Sequence, residues 1–185
     1  MIQWGKGSVN LPNKLTIARI LTVPFIVALI LLAKDERLIY AAGILFLLAS
    51  FTDFLDGYLA RKNHWITNFG KFMDPLADKL LICSVLICLI ARGTVPAWAV
   101  IVIVAREFAI SGFRLVAVEK GVVIAAGNLG KRKTNLQTLW VAFLLFPFEW
   151  KYWDLTASVL MWAALILTIW SFADYVAKNP TVLKE

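Results

Sequence analysis

The sequence predicts an all-α, polytopic membrane protein with six transmembrane helices and a short N-terminal interfacial segment, and three observations carry that prediction. Of its 185 residues 61% are hydrophobic, and the mean hydropathy is +0.76, more apolar character than a soluble domain of this size can bury. The apolar residues gather into six runs, each near the ~20 residues that a helix needs to cross a bilayer. The runs are joined by short polar turns, and Lys and Arg collect on one side of them.

Residues 1–14 mix polar and apolar side chains, with Trp4 and Lys6, as a short interfacial helix would. The first run, 15–33, contains Pro24, which is expected to kink it. No small-residue cleavage site follows, so the run reads as a span and not as a removed signal peptide. The others are 38–60, 71–91, 96–118, 134–148 and 153–175, the fifth being the shortest. Lys34-Asp35-Glu36-Arg37, Arg92-Gly93-Thr94-Val95 and the stretch from Glu149 to Tyr152 are tight connections, which make the helices they join antiparallel neighbours. With no repeat, low-complexity tract or soluble segment, residues 1–185 read as a single membrane domain.

Charge sets the orientation. One side carries Lys34, Arg37, Arg92 and Lys151. The other carries Lys6, Lys14, Arg61, Lys62, Lys71, Lys120, Lys131, Arg132, Lys133, Lys178 and Lys184, and is expected to be cytoplasmic together with both termini. The formal charge of +7 then reflects loop bias and anionic headgroups, and nucleic acid is not expected as a partner. Trp4 and Trp65 fall near the inner interface and Trp98, Trp150 and Trp153 near the outer one; Trp140, Trp162 and Trp170 lie deeper and read as packing residues. Cys83 and Cys88 share one apolar run and read as buried, inert thiols.

Charges inside spans demand a reason. Asp53 and Asp56 sit three residues apart on the second span, and Asp74 and Asp78 four apart on the third, so each pair shares a helix face. The connection from Arg61 to Gly70 reverses the chain, which lets the pairs face each other. Four like charges this close repel strongly, and hard divalent cations such as Mg²⁺ or Mn²⁺ resolve the conflict. A proton or ion relay and a structural cluster are the other readings of the spacing. Gly57, Ala60 and Gly70 are small enough either to let helices touch or to clear space for a nucleotide base.

The string from Asp53 to Asp78 resembles the signature of the CDP-alcohol phosphatidyltransferases. That pattern is Asp-x2-Asp-Gly-x2-Ala-Arg-x8-Gly-x3-Asp-x3-Asp, and all eight defined positions match, from Asp53, Asp56, Gly57, Ala60 and Arg61 to Gly70, Asp74 and Asp78. The six-span architecture also resembles that family. The resemblance implies a two-metal centre on Asp53, Asp56 and Asp74, with Asp78 facing the metals and acting as general base. It implies a cytidine diphosphate pocket for CDP-diacylglycerol that includes Asp56, Gly57, Ala60, Arg61 and Gly70, and it implies a homodimer.

The remaining intramembrane charges bear on the acceptor. Arg106 and Glu107 lie in the fourth run, with Arg114 two turns on; Glu107 is turned about 100° from Arg106 around the helix, a poor alignment for a neighbour pair. A bound anion, or a salt bridge to another helix, would then account for Arg106. Lys131 to Lys133 fit positive-inside bias as well as an anion site. Several cations near the carboxylates suit an acceptor that carries a phosphate. The strings Pro12-Asn13-Lys14-Leu15-Thr16-Ile17-Ala18-Arg19, Arg106-Glu107-x6-Arg114 and Lys131-Arg132-Lys133-Thr134 resemble bacterial members of the family that use glycerol 3-phosphate. That resemblance implies donor contacts from Asn13, Thr16 and Arg19, and acceptor-phosphate contacts from Arg106, Arg114, Lys131 and Lys133. It also implies a place in the bacterial plasma membrane, among membrane lipids, with the active site cytoplasmic. Inositol phosphate, serine or phosphatidylglycerol as acceptor are the alternatives within the family, and a cation transport path is the alternative outside it. His64 reads as an exposed loop residue, Asp174 and Lys178 as an interfacial helix end, and Asp154 as a residue near the outer surface.

Overall fold

The computed structural model describes residues 11–62, 68–121, 124 and 127–180, with side chains for all of these except 11–14, 53–62 and 68–72. Most of the predicted interfacial segment, and His64, lie outside the described residues. The described chain is all-helical: α1 (Leu11–Leu32), α2 (Glu36–Lys62), α3 (Asn68–Ala91), α4 (Ala97–Glu119), α5 (Asn128–Leu144) and α6 (Trp153–Lys178). Among the described residues two stretches, Leu15–Leu32 and Trp153–Lys178, are long and apolar enough to cross a membrane. Arg106, Glu107 and Arg114 interrupt the apolar character of α4, and α5 has only 17 residues.

The turns follow from their residues. Asp35 caps α2: its Oδ1 accepts from the N–H groups of Arg37 (3.1 Å) and Leu38 (3.4 Å), two donors with no partner inside the helix. The end of α3 is a Schellman turn. Gly93 takes the left-handed conformation (φ +73°), its N–H reaches the Ile90 carbonyl, and the Thr94 N–H reaches that of Leu89. Pro96 then precedes α4 with an extended ψ of 135°. The fifth helix differs most from expectation. It begins six residues before the predicted apolar span, because the polar stretch from Asn128 to Lys133 is itself helical. It ends early because Pro147 offers no N–H and clashes with a continuing helix. α1 continues through Pro24 as one helix, and α3 continues through Pro75.

The chain divides into two compact units, Met1–Cys88 and Leu89–Glu185. In the first, α1 packs against α2 along a seam with three- and four-residue steps: Thr16, Arg19, Val23, Ile26 and Ile30 on α1, and Ile39, Ala42, Phe46 and Ala49 on α2. In α3, Ala77, Leu81 and Val85 are buried with the same spacing. In the second unit α6 packs on both α4 and α5. Its seams run Ile103, Glu107, Ile110 and Ala117 on α4, then Lys133, Gln137, Trp140 and Leu144 on α5, then Ala164, Thr168, Ser171 and Tyr175 on α6.

The surface is apolar where a soluble protein's would be polar: Phe25, Leu32, Phe108, Leu115, Ile169 and Trp170 are all exposed. This corrects part of the tryptophan expectation. Trp140 is buried and Trp162, though half exposed, packs on the Trp98 ring at 5.4 Å, but Trp170 is exposed, because a membrane helix can present large apolar groups outward and hydropathy does not separate the two faces. Cys88 is buried, as expected of a packing residue, whereas Cys83 is half-buried, and the two form no disulfide.

Candidate functional site

The carboxylate pair on α3 continues the buried stripe of that helix. Asp74 lies one turn before Ala77, and Asp78 one turn after Asp74; both are half-buried. The Thr16 hydroxyl donates to Asp74 Oδ1 at 2.5 Å. Thr16 is 1% exposed and Arg19 3%, so the α1 seam, apolar from Val23 to Ile30, turns polar where it meets Asp74. Arg19 Nε donates to the Ala49 carbonyl of α2 at 3.3 Å, which fixes its guanidinium to the neighbouring helix. Asp53, Asp56, Gly57, Ala60 and Arg61 lie on α2, Gly70 on α3 and Asn13 on α1; their side chains fall outside the described residues. What the described part offers a cation is oxygen: two carboxylates one turn apart, one of them anchored by a hydroxyl. That donor set fits Mg²⁺ or Mn²⁺, and the Thr16 hydroxyl orients the Asp74 carboxylate from α1.

The second cluster lies in the α4–α5–α6 unit. Arg106 Nη1 donates to Glu107 Oε1 at 2.9 Å, and its Nη2 donates to Ser171 Oγ on α6 at 3.0 Å. The Lys133 ammonium donates to the same Glu107 Oε1. Lys133 is 2% exposed and Glu107 8%. Gly130 sits above the guanidinium: a Cβ there would lie 3.9 Å from Arg106 Nη2. Arg114 Nε donates to the Tyr175 hydroxyl at 3.1 Å and lies over the Tyr175 ring at 5.6 Å. One turn deeper, Gln137 Nε2 donates to Thr168 Oγ1 at 3.1 Å, and Thr168 Oγ1 donates to the Ala164 carbonyl at 2.6 Å. Polar groups thus occupy core positions of three helices, each with a partner across the seam.

Three of the four cations expected to bind an acceptor phosphate therefore lie in this seam or beside it. Lys131 is exposed on the first turns of α5. One expectation is corrected. Arg106 and Glu107 do pair directly, because the long guanidinium arm bends around the helix and overcomes the poor alignment of adjacent residues. Arg106 also gains the expected link to another helix, through Ser171. The residues missed from sequence are Glu107 as the shared anion, and Ser171 and Tyr175 as partners of the arginines. The signal was their spacing: all three occupy seam positions that are apolar elsewhere on the same helices. Asp174 and Lys178 form an exposed pair one turn apart, at 2.8 Å, as a helix end would.

Comparison with known proteins adds to this geometry. The chain matches the CDP-alcohol phosphatidyltransferase family over residues 9–170. It is 44% identical to the CDP-diacylglycerol–glycerol-3-phosphate 3-phosphatidyltransferase of Bacillus subtilis (strain 168), with 95% of this chain and 97% of that one covered. Proteins of the same name are similar in Rickettsia bellii, at 40% identity over 86% of this chain and 90% of that one, and in Haemophilus influenzae, at 37% over 90% and 91%.

Proposed function

The chain belongs to the CDP-alcohol phosphatidyltransferase family, and from that premise we propose that it transfers a phosphatidyl group from CDP-diacylglycerol to glycerol 3-phosphate, giving phosphatidylglycerophosphate and CMP. The observation that carries the choice of acceptor is the buried polar seam of α4, α5 and α6. A seam holding Arg106 and Lys133, with Arg114 beside them, suits an acceptor that is itself a phosphate dianion. Serine and inositol carry no such group. The relatives' names, which specify glycerol 3-phosphate, support the same reading.

In this proposal Asp53, Asp56, Asp74 and Asp78 hold two divalent cations, Mg²⁺ or Mn²⁺. When bound, these supply neutralisation of the charge that develops on the departing CMP phosphate. Thr16 holds the Asp74 carboxylate in register from α1. Asn13, Arg19, Gly57, Ala60, Arg61 and Gly70 border the donor. Arg106, Arg114, Lys131 and Lys133 hold the acceptor phosphate. Asp78 takes the proton from the acceptor hydroxyl, whose oxygen forms the new bond to the diacylglycerol-linked phosphorus as the bond to CMP breaks.

The topology of the proposal is one domain over 1–185 with six membrane-crossing helices, both termini and the active site facing the cytoplasm of a bacterial cell. The charges on α4 suit a membrane helix because they are paired inside the bundle, which offsets the cost of placing them there. The outward apolar faces meet lipid and, in a homodimer, a second copy. The test is CMP release by purified protein in micelles with CDP-diacylglycerol, Mg²⁺ or Mn²⁺, and a panel of acceptors. Turnover is expected with glycerol 3-phosphate. Turnover only with inositol phosphate, serine or phosphatidylglycerol refutes the assignment.

A further inference from the structure

Glu107 is the one carboxylate among the buried residues of the α4–α5–α6 seam, and a single oxygen, Oε1, takes both the Arg106 guanidinium and the Lys133 ammonium. We propose that Glu107 is the positioning residue of the acceptor site, the group that sets where these two cations stand when the acceptor phosphate arrives. The inference rests on the proposed acceptor reading and deepens it.

Three observations support it. First, Lys133 starts from α5 and Arg106 from α4, so without a shared anion their charges would repel and separate. Glu107 ties them to one point, while Ser171 fixes the other arm of the guanidinium from α6 at 3.0 Å. Second, the carboxylate does not cancel the site. Among the buried or half-buried described side chains of the seam, Arg106, Arg114 and Lys133 are cations and Glu107 the carboxylate, so the cluster keeps a positive balance that suits a phosphate. Third, a Lys–Glu pair serving stability alone is commonly replaceable by apolar side chains of similar volume. Here the pair shares its oxygen with Arg106, which has a role outside it.

The positioning role and simple electrostatics predict opposite signs. If Glu107 only dilutes the positive charge, Glu107→Gln makes the seam more cationic and lowers the acceptor KM. If it positions Arg106 and Lys133, the same substitution raises that KM, by about tenfold for coupling of this kind.

The experiment measures KM for glycerol 3-phosphate and for CDP-diacylglycerol in Glu107→Gln, Lys133→Met and the double variant, with Arg106→Ala alongside. The acceptor KM is expected to rise in each single variant, with the donor KM unchanged. The double variant is expected to fall short of the product of the two singles, because Glu107 acts in part through Lys133, while Arg106 keeps its bond to Ser171 in all of them. An acceptor KM that falls or stays level in Glu107→Gln, or single effects that multiply in the double, overturns the proposal. Glu107→Asp keeps the charge on a shorter arm and guards against a variant that fails to fold. It should give a smaller rise of the same kind, and equal changes in both KM values overturn the role as well. Arg106→Ala separates the two levels. If it leaves the acceptor KM unchanged, the acceptor site itself is misplaced; if it raises that KM while Glu107→Gln does not, only the role of Glu107 falls.

Discussion

Replacing Thr16 with Val tests how α1 serves the carboxylates. The exchange keeps shape and volume and removes one hydroxyl, which donates to Asp74 Oδ1 at 2.5 Å from a position only 1% exposed. A hydrogen bond to a charged group is worth about 1.5–3 kcal/mol net, which converts to roughly 10- to 150-fold in an equilibrium constant. Asp74 is half-buried, so water can replace part of what is lost, and the lower end applies. Outer-shell groups that orient metal ligands give the same scale, about 10- to 100-fold in metal affinity. The assay is CMP release titrated with Mg²⁺ and with Mn²⁺. The half-activating concentration should rise about tenfold in Thr16→Val and stay near that of the parent in Thr16→Ser, which keeps the hydroxyl. An unchanged midpoint in Thr16→Val refutes the anchoring role. A raised CDP-diacylglycerol KM at an unchanged metal midpoint would instead place Thr16 directly against the donor.

Three further predictions address other parts of the chain. Asp78→Asn keeps size and a ligating oxygen but removes the basic carboxylate, so turnover should fall by at least about 100-fold while the donor KM changes much less; activity close to the parent rules Asp78 out as the base. Tyr175→Phe keeps the ring under Arg114 and removes the hydroxyl that accepts from its Nε, which should raise the glycerol 3-phosphate KM about fivefold, the equivalent of about 1 kcal/mol. An unchanged KM there would confine Tyr175 to helix packing. Lys178→Ala breaks an exposed pair with Asp174, and neither thermal stability nor turnover should move, because such pairs are screened by water and salt.

Much of the helical order was legible because the sequence marks its own boundaries. Asp35, Gly93 and Pro96 stand at helix ends for backbone reasons that hold in any solvent. Asp74 and Asp78 were legible as a pair for a similar reason: a charge on an apolar helix is costly, and the four-residue step puts both on one side of α3, where they are half-buried. The start of α5 was less legible. Asn128 to Lys133 is polar, and a hydropathy pattern ends where a helix need not. The partners of Arg106 were not legible from the spacing of adjacent residues, because a guanidinium reaches farther than its Cβ direction suggests.

The exposed tryptophans and the polar seam point to one physical cause. In water, burial is announced by apolarity, and a helix shows its core face as an apolar stripe. In a bilayer the outward face is apolar too, so Trp170 and Trp140 carry the same sequence signal although one is exposed and the other buried. What distinguishes the inner face there is polarity, since a hydroxyl, amide or charge must find a partner within the bundle. Glu107 on α4, Lys133 and Gln137 on α5, and Thr168, Ser171 and Tyr175 on α6 follow three- and four-residue steps. That periodicity of polar residues marks the buried face of α5 and α6, and Glu107, paired with Lys133, marks that of α4. The same rule places Thr16 and Arg19 on the inner face of α1, where they are found.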